Sequence, residues 1–317
     1  MDPSTLKPLD SSTSSGVYVS LDDLIRLEHK ARGFSFLPRH AITSLLSGRH
    51  ASRLRGRGLN FEEIRAYLPG DDIRTIDWKV TARTRKTHVR VYTEERDRPA
   101  ILVVDQRMSM FFGTRTKMKS VTAAQLAAIS AWRIFSVGDR VGAVVFNDSE
   151  IKTVGPLRSR QQVTKILKSI LEYNQALKAD SDVQPNPGML NQALERASRL
   201  ASHDTLVGII SDFAGMDETT RRLIIQMAQH NDVLAALVYD PIAKQLPAGG
   251  RFVVSQGDVQ VELDLGKTRV RKPITAHSSE RLLNVEQSLK KVGVPVLPIN
   301  TEQDVTEQLR YLLGQHK

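Results

Sequence analysis

Short apolar runs and longer stretches of helical periodicity alternate along the last two thirds of the chain. The apolar runs are AILVVD (100–105), RVGAVVF (140–146), DTLVGIISDF (204–213), NDVLAALVYD (231–240) and GVPVLPIN (293–300). Segments such as KSVTAAQLAAISAWRIF and QQVTKILKSILEY separate them and carry apolar residues at helical spacing. Apolar strands that alternate with helices are typical of a parallel sheet covered on both faces. We therefore predict a doubly wound, mainly parallel α/β domain over residues 99–317.

Two segments depart from this alternation. IKTVGPL follows the apolar run at 140–146, and we predict that it forms the hairpin partner of that strand. Farther along, RFVVSQ and VQVELDL flank the dipeptide Gly257-Asp258. A Gly-Asp pair between two alternating segments is a turn signal, which predicts a β-hairpin inserted into the domain at about 245–272.

The N-terminal third of the chain follows other patterns. Residues 1–16 are rich in Ser, Thr and Pro, which predicts a flexible tail. VSLDDLIRLEHKAR places leucines and an isoleucine at helical spacing behind Ser20, a suitable N-cap, and so predicts a helix. THVRVYTEE alternates as a half-exposed strand does. We interpret residues 17–98 as an N-terminal arm that precedes the α/β domain.

Composition and charge narrow the function classes. The chain has no cysteine, which excludes disulfides and thiolate metal sites, and its apolar stretches are too short or too interrupted to cross a bilayer. We therefore expect a cytoplasmic protein. The net charge is +10, and residues 49–98 contain 13 Lys or Arg against 8 Asp or Glu. A basic arm suits nucleic acid, but an aromatic content of only 5% leaves few side chains for base stacking, so nucleic acid is a minority alternative.

The ends of two buried strands carry the strongest candidate for a ligand site. Asp105 and Asp212 follow apolar runs, and ligands of doubly wound sheets bind beyond the carboxyl ends of the strands. The sequence Asp105-Gln106-Arg107-Met108-Ser109 resembles, imperfectly, the Asp-x-Ser-x-Ser loop with which von Willebrand factor A domains bind magnesium. Arg107 replaces the first serine, and the segment 186–197 lacks the threonine that the resemblance requires.

Loss of these oxygen ligands predicts that the site is degenerate. Magnesium prefers hard oxygen ligands, and a guanidinium at about 4 Å would repel it by roughly 4 kcal/mol per unit-charge pair near a protein surface. We therefore expect no metal and no other cofactor. Weak magnesium binding at Asp105, Ser109 and Asp212 is the disfavoured alternative.

A second candidate region is RAYLPGDDIRTIDWKVTAR, residues 65–83, for which we predict an architectural role. Pro69-Gly70 indicates a tight turn, and Asp71 or Asp72 is placed to cap a short helix. We expect Ile73, Ile76 and Val80 to share the buried face of that helix, with Trp78 fastening the arm to the α/β domain. Arg74 and Asp77 are three residues apart, a spacing that allows an ion pair on a helix.

A family resemblance rests on this region and the strand that follows it. GRGLNFEEIRAYLPGDDIRTIDWKVTART, RVYTEER and ILVVDQRMSM are similar to the signature of a bacterial family known as domain of unknown function 58 (DUF58), described as von Willebrand factor A-like. The residues that carry the signature are Arg65, Tyr67, Pro69, Gly70, Asp71, Asp72, Arg74, Asp77, Trp78 and Arg83. The resemblance implies partnership with MoxR-type AAA+ ATPases and other von Willebrand A proteins. Many relatives carry N-terminal membrane helices, and this chain departs from them in that respect.

The loop after the strand at 100–105 offers a candidate partner surface. Its members are Met108, Met110, Phe111 and Phe112 as an apolar anchor, and Arg107, Arg115 and Lys117 as flanking charges, together with the segment 213–217. Methionine and phenylalanine suit an adaptable interface, and the cations suit charge steering. The alternative is that the apolar residues cover the start of the next helix.

The favoured function is therefore a non-enzymatic interaction or adaptor protein that works with a MoxR-type ATPase in assembling or maturing protein complexes. Two other classes stay open. A metal-dependent hydrolase requires carboxylates from among Asp71, Asp72, Asp77, Asp105 or Asp212 to converge, and a nucleic-acid binder requires the basic residues to form one face.

Overall fold

A computed structural model describes residues 16–31, 59–94, 98–179, 181, 183–243, 251–256, 259–264, 280 and 282–313. The chain divides into two compact units, one comprising residues 47–97 and the other residues 1–46 and 98–317. The predicted flexible tail, except for Gly16, lies outside the described residues, as do Gly257 and Asp258. No helix in the described part of the chain is long and apolar enough to cross a membrane.

Six strands form the central sheet of the larger unit. They are β3 (Pro99–Asp105), β4 (Arg140–Phe146), β5 (Ile151–Leu157), β6 (Leu206–Ser211), β7 (Asp232–Tyr239) and β10 (Val296–Asn300). Their spatial order is β10-β7-β6-β3-β4-β5, and every pair is parallel except β4 with β5, which is antiparallel. This is the doubly wound, mainly parallel order that the apolar runs predicted, with the expected hairpin partner at one edge.

Helices cover both faces of this sheet. On one face lie α1 (Leu21–Lys30), α3 (Lys119–Ser136), α4 (Arg160–Ala176) and α8 (Val305–Leu312). On the other face lie α5 (Gly188–Leu200), α6 (Glu218–Ala228) and α7 (282–291). Alternate residues of each strand enter opposite cores, so Leu102 packs with the first set of helices and Ile101 with the second. A buried side chain of this size stabilises the fold by about 1.5–3 kcal/mol.

Helix α1 belongs to the larger unit, which corrects the predicted arm over residues 17–98. The side chain of Leu24 is fully buried, and its carbonyl accepts a hydrogen bond of 3.0 Å from Nε1 of Trp132 on α3. The backbone N–H of Val19 donates to Oδ1 of Asn174 at 2.9 Å. Because α1 completes the core on that face, the boundary between the two units falls after this helix rather than before it.

The smaller unit is built on a two-stranded antiparallel sheet. Strand β1 (Leu59–Ala66) pairs with β2 (His88–Glu94), and the connection contains a 3-10 turn at Ile73–Thr75 and helix α2 (Trp78–Thr84). In the larger unit, β8 (Arg251–Gln256) and β9 (Val259–Asp264) pair as an antiparallel hairpin, as RFVVSQ and VQVELDL predicted.

Candidate functional site

The strand order creates a crevice at the carboxyl ends of β3 and β6. These strands are neighbours, but the chain continues from β3 to β4 on one side and from β6 to β7 on the other. Ligands of doubly wound folds bind where the strand order reverses in this way. Asp105 is the last residue of β3, Ser211 is the last residue of β6, and Asp212 follows Ser211 directly. We call Asp105, Arg107, Ser109, Lys119 and Asp212 the crevice cluster.

Asp105 and Arg107 form a buried ion pair within this cluster. The exposed fractions of their side chains are 0% and 2%. Nη2 of Arg107 lies 2.7 Å from Oδ2 of Asp105, and Nε lies 3.0 Å from Oδ1. The backbone N–H of Arg107 also donates to Oδ1, and Oγ of Ser211 donates to Oδ2 at 2.6 Å. The guanidinium of Arg107 thus binds the carboxylate oxygens of Asp105 that a metal ion would need as ligands.

Burial and neighbouring charge act in opposite directions on Arg107. Burial disfavours its charge, but the carboxylates of Asp105, Asp212 and Asp148 outweigh that effect and raise the pKa of the guanidinium above its ordinary value. Arg107 therefore carries a permanent positive charge inside the crevice. Its guanidinium carbon also lies 5.4 Å from the centre of the Phe146 ring, a cation–π distance.

Lys119 supplies a second cation, which the sequence analysis missed. Its Nζ lies 2.6 Å from Oδ2 of Asp212, and the exposed fractions of the two side chains are 12% and 5%. Oγ of Ser109 donates to Oδ1 of the same carboxylate at 3.3 Å. Lys119 is the first residue of α3, the helix that follows strand β3 along the chain. A lysine at the start of this helix is the feature of the sequence that could have indicated a cation near the strand ends.

Asp148 is a further carboxylate that sequence reasoning did not identify. Its two oxygens accept backbone N–H donors from Met108 at 2.6 Å and from Asn186 at 2.8 Å. It therefore joins the loop after β3 to the segment before α5 and helps to fix the position of Arg107. No group of three or more His, Asp or Glu that could hold a metal ion occurs in the described parts of the chain.

The predicted partner loop is only partly a surface. Arg107 and Met110 are buried, and Phe111 stacks on Tyr18 with ring centroids 5.8 Å apart. Phe112 is 41% exposed, and the side chain of Arg115 is 71% exposed and lies 3.4 Å from Glu302. Met110 contributes to the hydrophobic core, which corrects its assignment to the apolar anchor. Met108 is half-buried, so Phe112 and Arg115 are the exposed residues among those predicted on the loop after β3.

The segment after β6 borders a cleft of about 400 Å³ whose other wall includes α7. Phe213 has a φ of 53° and is 1% exposed, so this part of the predicted surface is also a core residue. Gly215 has a φ of 76°, and a Cβ there would lie 2.4 Å from the Cβ of Pro187. Only glycine fits this close approach, which brings Pro187 near the crevice.

The signature region of the smaller unit is held by a separate set of ion pairs. Arg65 binds Asp71 through two bonds of 2.7 and 2.8 Å, and Asp71 also accepts the backbone N–H of Leu68. Asp72 caps the 3-10 turn by accepting from Arg74 N. These roles are structural, and they differ from the metal-binding roles that the hydrolase alternative requires.

Asp77 caps helix α2, a role that the sequence had assigned to Asp71 or Asp72. Its Oδ1 accepts the backbone N–H groups of Lys79 and Val80, both at 3.0 Å. Its Oδ2 accepts from Nε of Arg90 at 2.8 Å, which corrects the predicted pair with Arg74. The bond from Val80 is the largest cause that lowers the pKa of Asp77, and the bond from Arg90 is the next.

Trp78 and Ile73 do not form the predicted buried face. Trp78 is 70% exposed and Ile73 is 67% exposed, whereas Ile76 and Val80 are half-buried. Trp78 is the first residue of α2 and follows its cap Asp77 directly, whereas the buried apolar residue nearby is Val89 on strand β2. Tyr67, Pro69, Gly70 and Arg83 lie in or beside the same connection, and Gly70 adopts a φ of 105° that favours glycine.

The profile of one protein family matches residues 63–282, which is more than half of the chain. Its description is protein of unknown function DUF58. This chain is a DUF58 protein. Among relatives of this DUF58 protein, uncharacterized proteins of Mycobacterium bovis and Mycobacterium tuberculosis are each 30% identical over 294 residues, covering 92% of this chain and 90% of the relative.

Solved structures resemble the DUF58 chain in fold only. BatB from Bacteroides thetaiotaomicron is 13% identical with a TM-score of 0.39, over 68% of this chain and 99% of that one. An aerotolerance-related membrane protein from Bacteroides fragilis is 14% identical with a TM-score of 0.40, over 69% and 97%. The SpRpn10 VWA domain is 10% identical with a TM-score of 0.35, over 69% and 98%. The fold assignment rests on the strand order described above.

Proposed function

We propose that this DUF58 protein is a non-catalytic adaptor that works with a MoxR-type AAA+ ATPase in the assembly or maturation of protein complexes. The observation that supports the proposal is the crevice cluster, where Arg107 and Lys119 neutralise the two carboxylates that end β3 and β6. A carboxylate that is buried and hydrogen-bonded in this way is not available as a general base or a metal ligand. We therefore assign the crevice to recognition rather than to catalysis.

The partner class comes from the family resemblance, and the structure offers exposed residues beside the crevice. Phe112 and Arg115 lie on the loop between β3 and α3, and loops beyond the strand ends are the usual binding surface of such folds. Phenylalanine and arginine are both enriched at protein–protein interfaces. In this proposal the ATPase supplies the energy for any conformational cycle, and the DUF58 protein supplies the binding surface.

Co-purification of the tagged full chain with the MoxR-type ATPase of the same genome tests the proposal. We expect the wild type to retain the ATPase and the double variant Phe112→Ser, Arg115→Glu to retain at least tenfold less. The matched control is the double variant Val137→Ser, Arg199→Glu. It also replaces one exposed apolar residue by serine and one exposed arginine by glutamate, but at the C-terminal ends of α3 and α5, away from the loop after β3.

Two outcomes would contradict the proposal. If the folded loop variant binds as well as the control, the loop is not the surface. If the wild type binds no ATPase but shifts DNA at physiological salt, the function belongs to the nucleic-acid class instead.

A further inference from the structure

The smaller unit displays large apolar side chains on the connection between its two strands. Leu68, Ile73 and Trp78 are 60%, 67% and 70% exposed, while the chain's other tryptophan, Trp132, is 1% exposed. A solvated connection does not require three large apolar residues within eleven positions. Exposed apolar residues that form a patch mark interaction sites, and the short connection keeps these three residues near one another in sequence. We call Leu68, Ile73 and Trp78 the connection surface.

The backbone that carries the connection surface is fixed before any partner arrives. Asp71 binds Arg65 through two hydrogen bonds and also accepts the N–H of Leu68. Asp77 caps α2 immediately before Trp78 and binds Arg90 on the neighbouring strand. Ordering a loop on binding weakens an interaction, so a connection that is already ordered is suited to recognition.

The connection that carries these apolar residues has an excess of positive charge. Between Ile64 and Arg90 the sequence has seven Lys or Arg against three Asp. Two of the aspartates, Asp71 and Asp77, form ion pairs with two of the arginines. The other cations are all exposed and are Arg74, Lys79, Arg83, Arg85 and Lys86. An excess of exposed cations on the same connection as exposed apolar side chains favours an acidic partner.

From this combination we infer that the connection surface docks an acidic segment of a protein that also carries apolar side chains. The inference rests on the proposed function, because it names a second contact through which an adaptor would hold its ATPase or client. A uniformly anionic membrane suits the surface less well, because the exposed carboxylate of Asp72 stands next to Ile73. Nucleic acid suits it less well because Trp78 is its sole aromatic residue, whereas base stacking along a strand uses several.

Site-specific photo-crosslinking tests the inference in the full chain. The photoreactive residue p-benzoylphenylalanine replaces Trp78, the protein is irradiated in cells that contain the native partners, and the crosslinked segments are identified by mass spectrometry. We expect segments with an excess of Asp and Glu and with Leu, Phe or Met among them. The control places the same residue at Tyr311, which is 68% exposed on α8 of the larger unit.

Charge reversal supplies the second arm of the experiment. In the Lys79→Glu, Arg83→Glu background we expect crosslinking from position 78 to fall at least tenfold, while crosslinking from position 311 stays unchanged. Both lysine and arginine side chains are exposed, so circular dichroism should show an unaltered fold. The inference is wrong if crosslinking survives charge reversal, if the crosslinked segments are not acidic, or if the product is lipid, nucleic acid or the chain's own larger unit.

These outcomes are distinguishable from a failure of the proposed function. If the ATPase co-purifies with the wild type and with the Lys79→Glu, Arg83→Glu variant alike, and crosslinking is also unchanged, the connection surface is wrong and the adaptor role stands. If no ATPase co-purifies but an acidic segment of another protein is crosslinked in a charge-dependent way, the surface is supported and the ATPase is not its partner.

Discussion

Arg107 and Lys119 give the crevice its chemical character at the scale of single residues. Each cation holds one carboxylate, Asp105 or Asp212, at a distance of 2.6–2.7 Å with little exposure to solvent. Removing one partner of a buried ion pair leaves an uncompensated charge, so the cations are structural as well as electrostatic. Arg107 also stands where the magnesium-binding loop that this segment resembles has a serine.

The variant Arg107→Ser restores that serine and therefore tests whether the cation replaces a metal. We expect its free energy of unfolding to fall by about 3–5 kcal/mol without magnesium, because Asp105 loses its buried partner. We also expect part of this loss to be recovered in millimolar magnesium, since Asp105 and two hydroxyls then face the ion. Chemical denaturation with and without magnesium measures both effects.

The control for this prediction is Arg115→Ser, an arginine whose side chain is 71% exposed, for which we expect a change within about 0.5 kcal/mol. Isothermal titration of the wild type should show no saturable magnesium binding in the micromolar range. Micromolar binding by the wild type, or a variant as stable as the control, would defeat the interpretation of Arg107 as an internal cation.

Asp77 allows a prediction about pH. The hydrogen bond from the Val80 N–H, and next the bond from Arg90, lower the pKa of Asp77 from 3.8. These bonds therefore stabilise the folded state fully at pH values above 3.8, where the carboxyl is ionised in the folded and unfolded chain alike. The stabilisation is lost as the pH falls through the lower pKa of the folded state. A carboxyl titration by NMR should therefore place the midpoint of Asp77 below 3.8, and Arg90→Gln should raise it.

The matched control for Asp77 is Arg74→Gln. Arg74 lies three residues from Asp77, at the spacing of a helical ion pair, but the bond of 2.8 Å comes from Arg90. We expect Arg74→Gln to leave the Asp77 midpoint where it is in the wild type. An equal rise in both variants would show that general positive charge, rather than the Arg90 bond, lowers the pKa.

At the scale of elements, helix α1 is the part whose role differs most from the sequence expectation. Its pattern predicted a helix, and the helix is present, but its leucine face completes a core formed by α3 and α4. The hydrogen bond from Trp132 to the carbonyl of Leu24 ties it to the middle of α3. The N-terminal boundary of the smaller unit therefore falls after α1, while its other boundary lies at residues 97 and 98, close to the predicted start of the α/β domain.

Truncation of Leu24 measures how strongly α1 is held. We expect Leu24→Ala to lower the free energy of unfolding by about 2–5 kcal/mol, the usual cost of removing a buried leucine side chain. The matched control is Leu68→Ala, at a side chain that is 60% exposed, with an expected change within about 0.5 kcal/mol. Urea denaturation compares them, and equal losses would mean that α1 is not part of the core.

At the scale of the whole molecule, the two units have separate kinds of stabilisation. The larger unit has two apolar layers, one on each face of its sheet. The smaller unit has a two-stranded sheet, one buried valine in its described part and the ion pairs of Asp71 and Asp77. Two-stranded sheets are marginally stable in water, so these ion pairs and caps help to order the described connection.

Replacement of residues 47–97 by a Gly/Ser linker tests this division. All strands of the six-stranded sheet lie outside the replaced segment, so we expect the larger unit to unfold cooperatively with Trp132 still buried. Trp132 is then the sole tryptophan, and its fluorescence reports the larger unit directly. A red-shifted emission in the absence of denaturant would show that the larger unit needs the smaller one to fold.

The sequence by itself determined the layers and the strand ends of this DUF58 protein. Short apolar runs of strand length, separated by segments of helical periodicity, predict a parallel sheet that helices cover on both faces. The structure has this arrangement, and both faces of the sheet are buried. The hairpin at β8 and β9 and the placement of Asp105 and Asp212 at strand ends follow from the same pattern and from turn residues.

Only the tertiary structure decided which charges meet. Lys119 reaches Asp212 across 93 positions, Asp148 joins residues on two different loops, and Asp77 selects Arg90 on a neighbouring strand over Arg74. A lysine or arginine side chain is long and flexible, and the sequence offers it several possible carboxylate partners. Strand order and register decide which of these carboxylates lies close enough to form the ion pair. The tertiary structure also determines that Trp78 is exposed and Met110 is buried. Both side chains are apolar, so the sequence alone does not show which of them faces solvent.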